Sequence, residues 1–410
     1  MPNTAQAPGA GRPAAHRARK RPIVPRLASG AAWLLCVAVI VCGLIFFAPR
    51  IPVEPIQEVV GAGGLALSTA TVWFAVACFL CVVIAIVSWH SRRVWRLAAG
   101  VIGAALALTV VLVPWLTAWR TASTHGSSVS WLSFSDQGPH RTPTRTTTFA
   151  TIDGQQLHLD AYRPTQPAAG APAIVFVHGG GFISGDRGES NSWFSWLATQ
   201  GVTVFSIDYR LSPPPRWQQA TGDVKCALGW VREHAGEFGI ARSNISVAGD
   251  SAGGNLALMA AYTVGDRQFP PTCHVSETPV RSVIALYPLT NLPAALDDTR
   301  MPYSIRTMLD RYTGGSVDRY RDRYLAASPT EHVTPGLPPT LLVQGGSDHL
   351  VPADQSEHLA TALDAAGVRV QMLELPWVDH AFITQWGGWG SQLLRPQLAK
   401  FIQQHLIAAG

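Results

Sequence analysis

The run Gly249-Asp250-Ser251-Ala252-Gly253-Gly254 sets a serine between glycines two positions away on either side. A serine hydroxyl is a poor nucleophile alone. It needs a base to take its proton, a group to orient that base, and donors for the oxyanion that forms. The apolar run Ile245-Ser246-Val247-Ala248 precedes the motif and the Ala/Leu-rich run Asn255 to Tyr262 follows it. That is the strand–turn–helix context in which G-x-S-x-G becomes a nucleophile elbow. The turn is tight, so side chains two positions from the serine would clash with the neighbouring strand and helix. The Ser251 hydroxyl is then expected at the carboxyl end of a sheet, with a helix N-terminus beneath it.

Partners follow in the order Ser, acid, His. Of thirteen histidines, His125 and His140 fall in a linker, and His234 and His405 on helices. His380, in Trp377-Val378-Asp379-His380-Ala381-Phe382, combines a loop after the last expected strand with a position downstream of both partners, and is the expected base. The expected acid is Asp348, which emerges after the strand Leu341-Leu342-Val343; Asp354 should already lie on a helix, and Asp379 would have to fold back on its neighbour. Oxyanion donors are expected in His178-Gly179-Gly180-Gly181-Phe182, where the absence of Cβ atoms lets backbone N–H groups approach an alkoxide, joined by the N–H of Ala252. Phe182 and Trp377 suit a pocket for an apolar acyl group, with simple packing the equal alternative for each.

The elements that must position these groups read as an α/β domain. An Asp153-Gly154 turn joins Thr148–Ile152 to Gln156–Tyr162 as a hairpin. Buried strands are expected at Ala173–Val177, Val202–Ile207, Ile245–Ala248, Val283–Leu286, Thr340–Val343 and Val370–Leu375, with helices at Ser192–Thr199 and Trp217–His234. Alternation of such strands with helices argues for a mostly parallel sheet. The strand pattern lapses over 289–338, which reads as a cap over the site or a solvated surface excursion.

The formal charge of +5 divides unevenly along the chain. Residues 1–26 carry Arg12, Arg17, Arg19, Lys20, Arg21 and Arg26 and no acid, whereas from Thr121 onward 20 basic face 24 acidic side chains, a net of −4. A basic face with interleaved aromatics is lacking, which argues against a nucleic-acid partner. Three uncharged apolar stretches, Leu27–Ala48, Thr69–Ser88 and Leu97–Trp119, each have the length a bilayer requires. The first is longer than the apolar region of a signal peptide. The basic tail, and Arg92, Arg93 and Arg96 in the second loop, predict a cytoplasmic N-terminus; Arg50 is offset by Glu54 and Glu58 in the first loop. Three spans then place the rest of the chain outside the cytoplasm. The expected organisation is a tail (1–26), a three-helix membrane domain (27–119), a linker (120–145) and a soluble domain (146–410). None of the spans carries an ionisable core residue, which weakens a transporter reading. Cys36, Cys42, Cys78 and Cys81 lie in spans; Cys226, off the apolar stripe of its helix, and Cys273 are either a disulfide or two unrelated thiols. No spacing suggests a metal or another cofactor.

His178–Phe182, Asp208-Tyr209-Arg210-Leu211-Ser212-Pro213, Gly249–Gly254, Asp348 and Asp379-His380-Ala381-Phe382 resemble the hormone-sensitive-lipase-like branch of the α/β-hydrolases, over about residues 146–408. The resemblance implies an α/β-hydrolase fold with a cap and cleavage of carboxylic esters, small-molecule or lipid, through Ser251, Asp348 and His380. It implies Gly180 and Gly181 as oxyanion donors, with His178 and Gly179 shaping the loop, Asp250 completing the motif, and Tyr209-Arg210 as a buttress. Gly185-Asp186 also fits. Two departures concern the cap: membrane spans stand where the family often has an N-terminal cap segment, and Pro213-Pro214-Pro215 replaces a more usual Pro-Glu. The same constellation can deacetylate envelope glycans or cut peptides. A non-catalytic binding module on this fold would usually show a broken triad.

Overall fold

The structure, a computed structural model, describes residues 23–47, 71–166, 168–298 and 301–407. The basic tail through Pro22, and the first loop with Arg50, Glu54 and Glu58, lie outside the described residues.

Among the described residues, the first helices are α1 (Ile23–Phe47), α2 (Thr71–His90) and α3 (Val94–Thr124). By length and composition α2 and α3 can cross a membrane, with mean hydropathies of 2.6 and 2.4, whereas the apolar segment of α1, Gly30–Phe46, is shorter. The expectation of three spans is thus matched by two such helices among the described residues. Small residues let the backbones meet: a Cβ on Gly100 would touch the backbone of Ala85 and Cys81 at 3.0 Å.

The linker expected over 120–145 is shorter and less free than its composition suggests. Helix α3 runs on through Thr124, and Ala118 and Ala122, both buried, join one core of the α/β domain beside Phe134 and Trp389. Further on, Ser130 is held from both sides by Gln392, whose Oε1 accepts from the Ser130 N–H at 2.7 Å and whose Nε2 donates to its carbonyl at 3.0 Å. Trp131 meets Trp389 edge-on at 4.7 Å. These anchors are isolated aromatic and polar residues, so no periodicity marks them.

The α/β domain is built on one eight-stranded mixed sheet in the order β1-β2-β4-β3-β5-β6-β7-β8. The strands are β1 (Arg145–Ile152), β2 (Gln155–Tyr162), β3 (Ala171–Val177), β4 (Thr203–Ile207), β5 (Ile240–Asp250), β6 (Val283–Leu286), β7 (Thr340–Gly345) and β8 (Val370–Leu375). The hairpin β1–β2 runs antiparallel and β3 to β8 are parallel. Along β3, Ala173, Val175 and Val177 enter one core while Ile174 and Phe176 enter the other. Burial on both faces explains why the parallel strands read as unbroken apolar runs. Helices α4 (Asn191–Thr199), α5 (Gln219–Glu233), α6 (Ala252–Tyr262), α9 (Asp354–Ala365) and α10 (Trp389–Ile402) accompany the sheet. The stretch without strands contains α7 (Tyr303–Thr313) and α8 (Val317–Ala326), which pack together.

Cys226 is fully buried on α5 and joined to Cys273 as a disulfide, Cα atoms 5.6 Å apart. The helix is buried beyond its apolar stripe because the segment around Pro270–Val275 lies across it: a Cβ on Gly222 or Gly229 would run into Pro270, Thr272 or Val275.

Candidate active site

Strand register brings the motif loops to one edge of the sheet. Val177, the last residue of β3, pairs with Gly249 of β5, so the His178–Gly181 loop and the serine turn leave side by side. Asp250 pairs with Leu286 on β6, and the Ser251 N–H donates to the Leu286 carbonyl at 2.8 Å. Strands β7 and β8 end in register at Gly345 and Leu375, just before Asp348 and His380.

Ser251 adopts φ 52° and ψ −118° at the head of α6. This backbone is strained for a non-glycine residue, and it persists because β5 and α6 are both buried. Gly253 is required by close approach, since a Cβ there would collide with the carbonyl oxygens of Val177 and His178.

The Ser251 hydroxyl lies 2.9 Å from His380 Nε2, and His380 Nδ1 lies 2.8 Å from Asp348 Oδ2. With Asp348 as acceptor, Nδ1 carries the proton and Nε2 is free to accept the serine hydroxyl. Asp348 is itself held: Oδ1 accepts from the N–H groups of Leu350 and Val351 at 2.9 and 2.8 Å, and Gln344 Nε2 donates to Oδ2 at 2.9 Å. Burial opposes the imidazolium of His380, but Asp348, Asp379 and Asp250 outweigh it and hold this histidine above the usual 6.5. Of the rival acids, Asp354 starts α9, and Asp379 points away from the His380 ring.

Across the serine, Gly180 and Gly181 have φ of +100° and +61°, a region that favours glycine. The Gly180 carbonyl is tied back by the N–H groups of Ile183 and Ser184, both at 3.1 Å, and by the Ser184 hydroxyl at 3.0 Å. Ala252, fully buried, is the first residue of α6, whose N-terminal dipole favours negative charge beside it. Gly179 packs on Asp250: a Cβ there would sit 2.7 Å from Asp250 Oδ2. His178 stacks on Tyr209 with ring centroids 4.5 Å apart, and the Tyr209 hydroxyl donates to the carbonyls of His178 and Gly179 at 3.2 and 3.3 Å. Burial lowers the His178 pKa, so it acts as a neutral brace. Arg210 pairs with buried Asp223, Nη2 to Oδ1 at 2.8 Å and Nε to Oδ2 at 2.9 Å.

Phe182 and Trp377, the expected pocket residues, both pack on aromatic rings, and Trp377 also lines a cavity with Asp379 and His380. Phe182 is 1 % exposed and stacks on Tyr312 of α7 at 3.8 Å. Trp377 lies parallel to Phe46 of α1. Both have positive φ, as loop corners do.

Sequence reasoning missed three neighbours. Tyr287, fully buried, meets His380 edge-on at 4.6 Å and donates from its hydroxyl to Asp250 Oδ2 at 3.3 Å. Burial pushes Asp250 up to about 6. Met308 of α7 reaches over Gly181, where a Cβ would strike its sulfur. His349 binds Asp379 at 2.7 Å. Only its place beside Asp348 in the chain hinted at the last. Among the described residues, no group of His, Cys, Asp and Glu is arranged to hold a metal ion.

The BD-FAE family model matches residues 159–363, a span that holds Ser251 and Asp348 and stops before His380. The chain is similar to esterase LipC of Mycobacterium tuberculosis, 35 % identical over 240 residues that cover 56 % of this chain and 58 % of LipC. It is also similar to the carboxylic ester hydrolase LipN of the same organism, 32 % identical over 62 % of this chain and 73 % of LipN. The match thus spans little more than half of LipC. Among solved structures, an esterase of Thermogutta terrifontis superposes with a TM-score of 0.55 at 26 % identity, covering 66 % of this chain and 95 % of that one.

Proposed function

The chain belongs to the BD-FAE family of hormone-sensitive-lipase-like α/β-hydrolases, and we propose that it is a membrane-tethered serine ester hydrolase. The observation that carries this reading is the unbroken line from Ser251 Oγ through His380 to Asp348, with links of 2.9 and 2.8 Å. His380 Nε2 takes the serine proton as Oγ attacks the ester carbonyl carbon. The oxyanion is received by the N–H groups of Gly180, Gly181 and Ala252. As the tetrahedral species collapses, His380 returns the proton to the leaving alkoxide, leaving an acyl-enzyme. Water then repeats the attack with His380 as base, and the acid departs. Asp348 holds the imidazole in the required tautomer and stabilises its charged form.

The tether is read from the apolar helices. The C-terminal ends of α1 and α3 both meet the soluble domain, Phe46 at Trp377 and Ala118 and Ala122 at the core. With three spans over 27–119 and a cytoplasmic tail over 1–26, these two ends share the outer side, and the catalytic domain (146–410) with its cap (289–338) lies outside the cytoplasm. The stretch 120–145 joins the two as a packed connector. A reporter on the C-terminus that is active only in the cytoplasm would overturn this orientation. Ester substrates with an apolar acyl group suit a site whose base loop rests on a membrane helix.

Ser251→Ala in the full chain tests the chemistry. It should abolish hydrolysis of p-nitrophenyl esters and covalent labelling by a fluorophosphonate. Retained activity would exclude Ser251 as nucleophile.

A further inference from the structure

The acid and base loops each carry an aspartate followed by a histidine, Asp348-His349 after β7 and Asp379-His380 after β8. Their pairings are crossed. Asp348 receives His380 Nδ1 at 2.8 Å, while Asp379 Oδ2 receives His349 Nδ1 at 2.7 Å. The second oxygen of Asp379 accepts two backbone N–H groups, from His349 at 2.9 Å and from His380 itself at 2.7 Å. One carboxylate therefore binds both loops. The Asp379 and His349 side chains are only 3 % and 4 % exposed.

We propose that Asp379 is a positioning residue for the base, held in place by His349, and that this crossed pair sets the distance from His380 to Ser251. The inference rests on the reading of His380 as the base. The bond from the His380 N–H fixes the start of that residue, and the ring bond to Asp348 fixes the far end. With both held, Nε2 has one place to go. His349 Nε2 has no hydrogen-bond partner, so the polar work of this buried ring is spent on Asp379. A plain structural ion pair would need neither the bond to the base's own backbone nor a carboxylate shared between the two loops.

Asp379 also acts through charge. Ser251, Asp348 and the Tyr287 phenol with Asp250 behind it face the His380 ring, while the Asp379 carboxylate lies at its backbone N–H and acts on the ring by charge alone. Removing one negative charge from this set disfavours the imidazolium, so the base should lose its proton at lower pH.

The test uses the full chain in nanodiscs, a water-soluble p-nitrophenyl ester, and fluorophosphonate titration of active sites. Asp379→Asn should lower kcat per titrated site about 10–100-fold, the scale of a misplaced reacting group, with KM nearly unchanged. The acid limb of kcat/KM should move down by about 0.5–1 pH unit. His349→Gln, whose amide can still donate to Asp379, should keep most of the activity; His349→Phe should lose it as Asp379→Asn does. Wild-type kcat and an unshifted acid limb in Asp379→Asn, or a loss fully explained by fewer titratable sites, would overturn the proposal. Ser251→Ala separates the two readings: if it is inactive while Asp379→Asn behaves as wild type, only the positioning role falls.

Discussion

Trp377 lies on Phe46 with ring planes 6° apart and centroids 6.4 Å apart, joining the loop of His380 to the end of the first apolar helix. His380, the proposed base, is three residues away in the chain. The first apolar helix and the His380 loop are therefore in direct contact, and disturbing one should be felt by the other.

Phe46→Ala should lower kcat on soluble esters about 2–5-fold, since small displacements of a base are costly, and destabilise the soluble domain by about 1 kcal/mol, the worth of an aromatic pair. Trp33, 42 % exposed on the same helix, provides the control: Trp33→Ala should leave both unchanged. Kinetics and thermal unfolding in nanodiscs measure the two effects. Equal behaviour of the two variants would show the contact to be inert.

The pH dependence follows from His380. Its pKa is raised in the folded chain, and only the neutral ring can accept the serine proton. Activity should therefore rise with pH through a midpoint above 6.5. The linkage to stability has the opposite sense: a raised histidine pKa contributes stability that is full below the unfolded value and is lost as pH rises through the folded one. Activity should grow across the window in which this contribution fades. Parallel profiles of kcat/KM and unfolding midpoint would reveal it; a midpoint below 6.5 would contradict the electrostatic account.

The Cys226–Cys273 bond closes a loop with a sequence separation of 47. Its removal in a Cys226→Ala/Cys273→Ala chain should cost about 2–4 kcal/mol, read as a lower unfolding midpoint that reductant no longer changes. Because the bond lies on α5, away from the serine, kcat at low temperature should persist. An unfolding midpoint insensitive to reductant in the unmodified chain would count against the bond.

Gly181 faces Met308. Gly181→Ala should lower kcat by about 10²-fold or more, the effect of losing an oxyanion donor if Gly181 is one as proposed, because the new methyl group must displace the loop or Met308 of α7. Adding Met308→Ala should recover part of that loss by making room. If the double variant is no better than the single one, backbone strain at the positive φ rather than the Met308 contact controls this glycine.

The sheet and the serine turn were legible in the sequence because they are local. Strands such as β3, with Val175 facing one core and Phe176 the other, read as apolar runs. Strands β6 and β8 have the expected limits, Val283–Leu286 and Val370–Leu375. Other ends moved. Strand β5 begins at Ile240, five residues before its apolar run, because Ala171 pairs with Ile240 ahead of that run. The end of α3 and the anchoring of Trp131 were hidden, since each depends on a partner far along the chain, in α10.

What the sequence by itself determined is the chemistry on offer: a serine in a turn that only small neighbours permit, a glycine loop after a buried strand, and an acid and a histidine that each follow a strand. Those are short-range requirements of backbone and residue type. The tertiary structure decided the pairings. Asp348 and Asp379 both adjoin a histidine in the chain, and only the approach of two loops selects which carboxylate takes which ring. It likewise turned Phe182 towards Tyr312 and Trp377 towards Phe46, because an aromatic ring settles against whatever surface long-range packing brings to it.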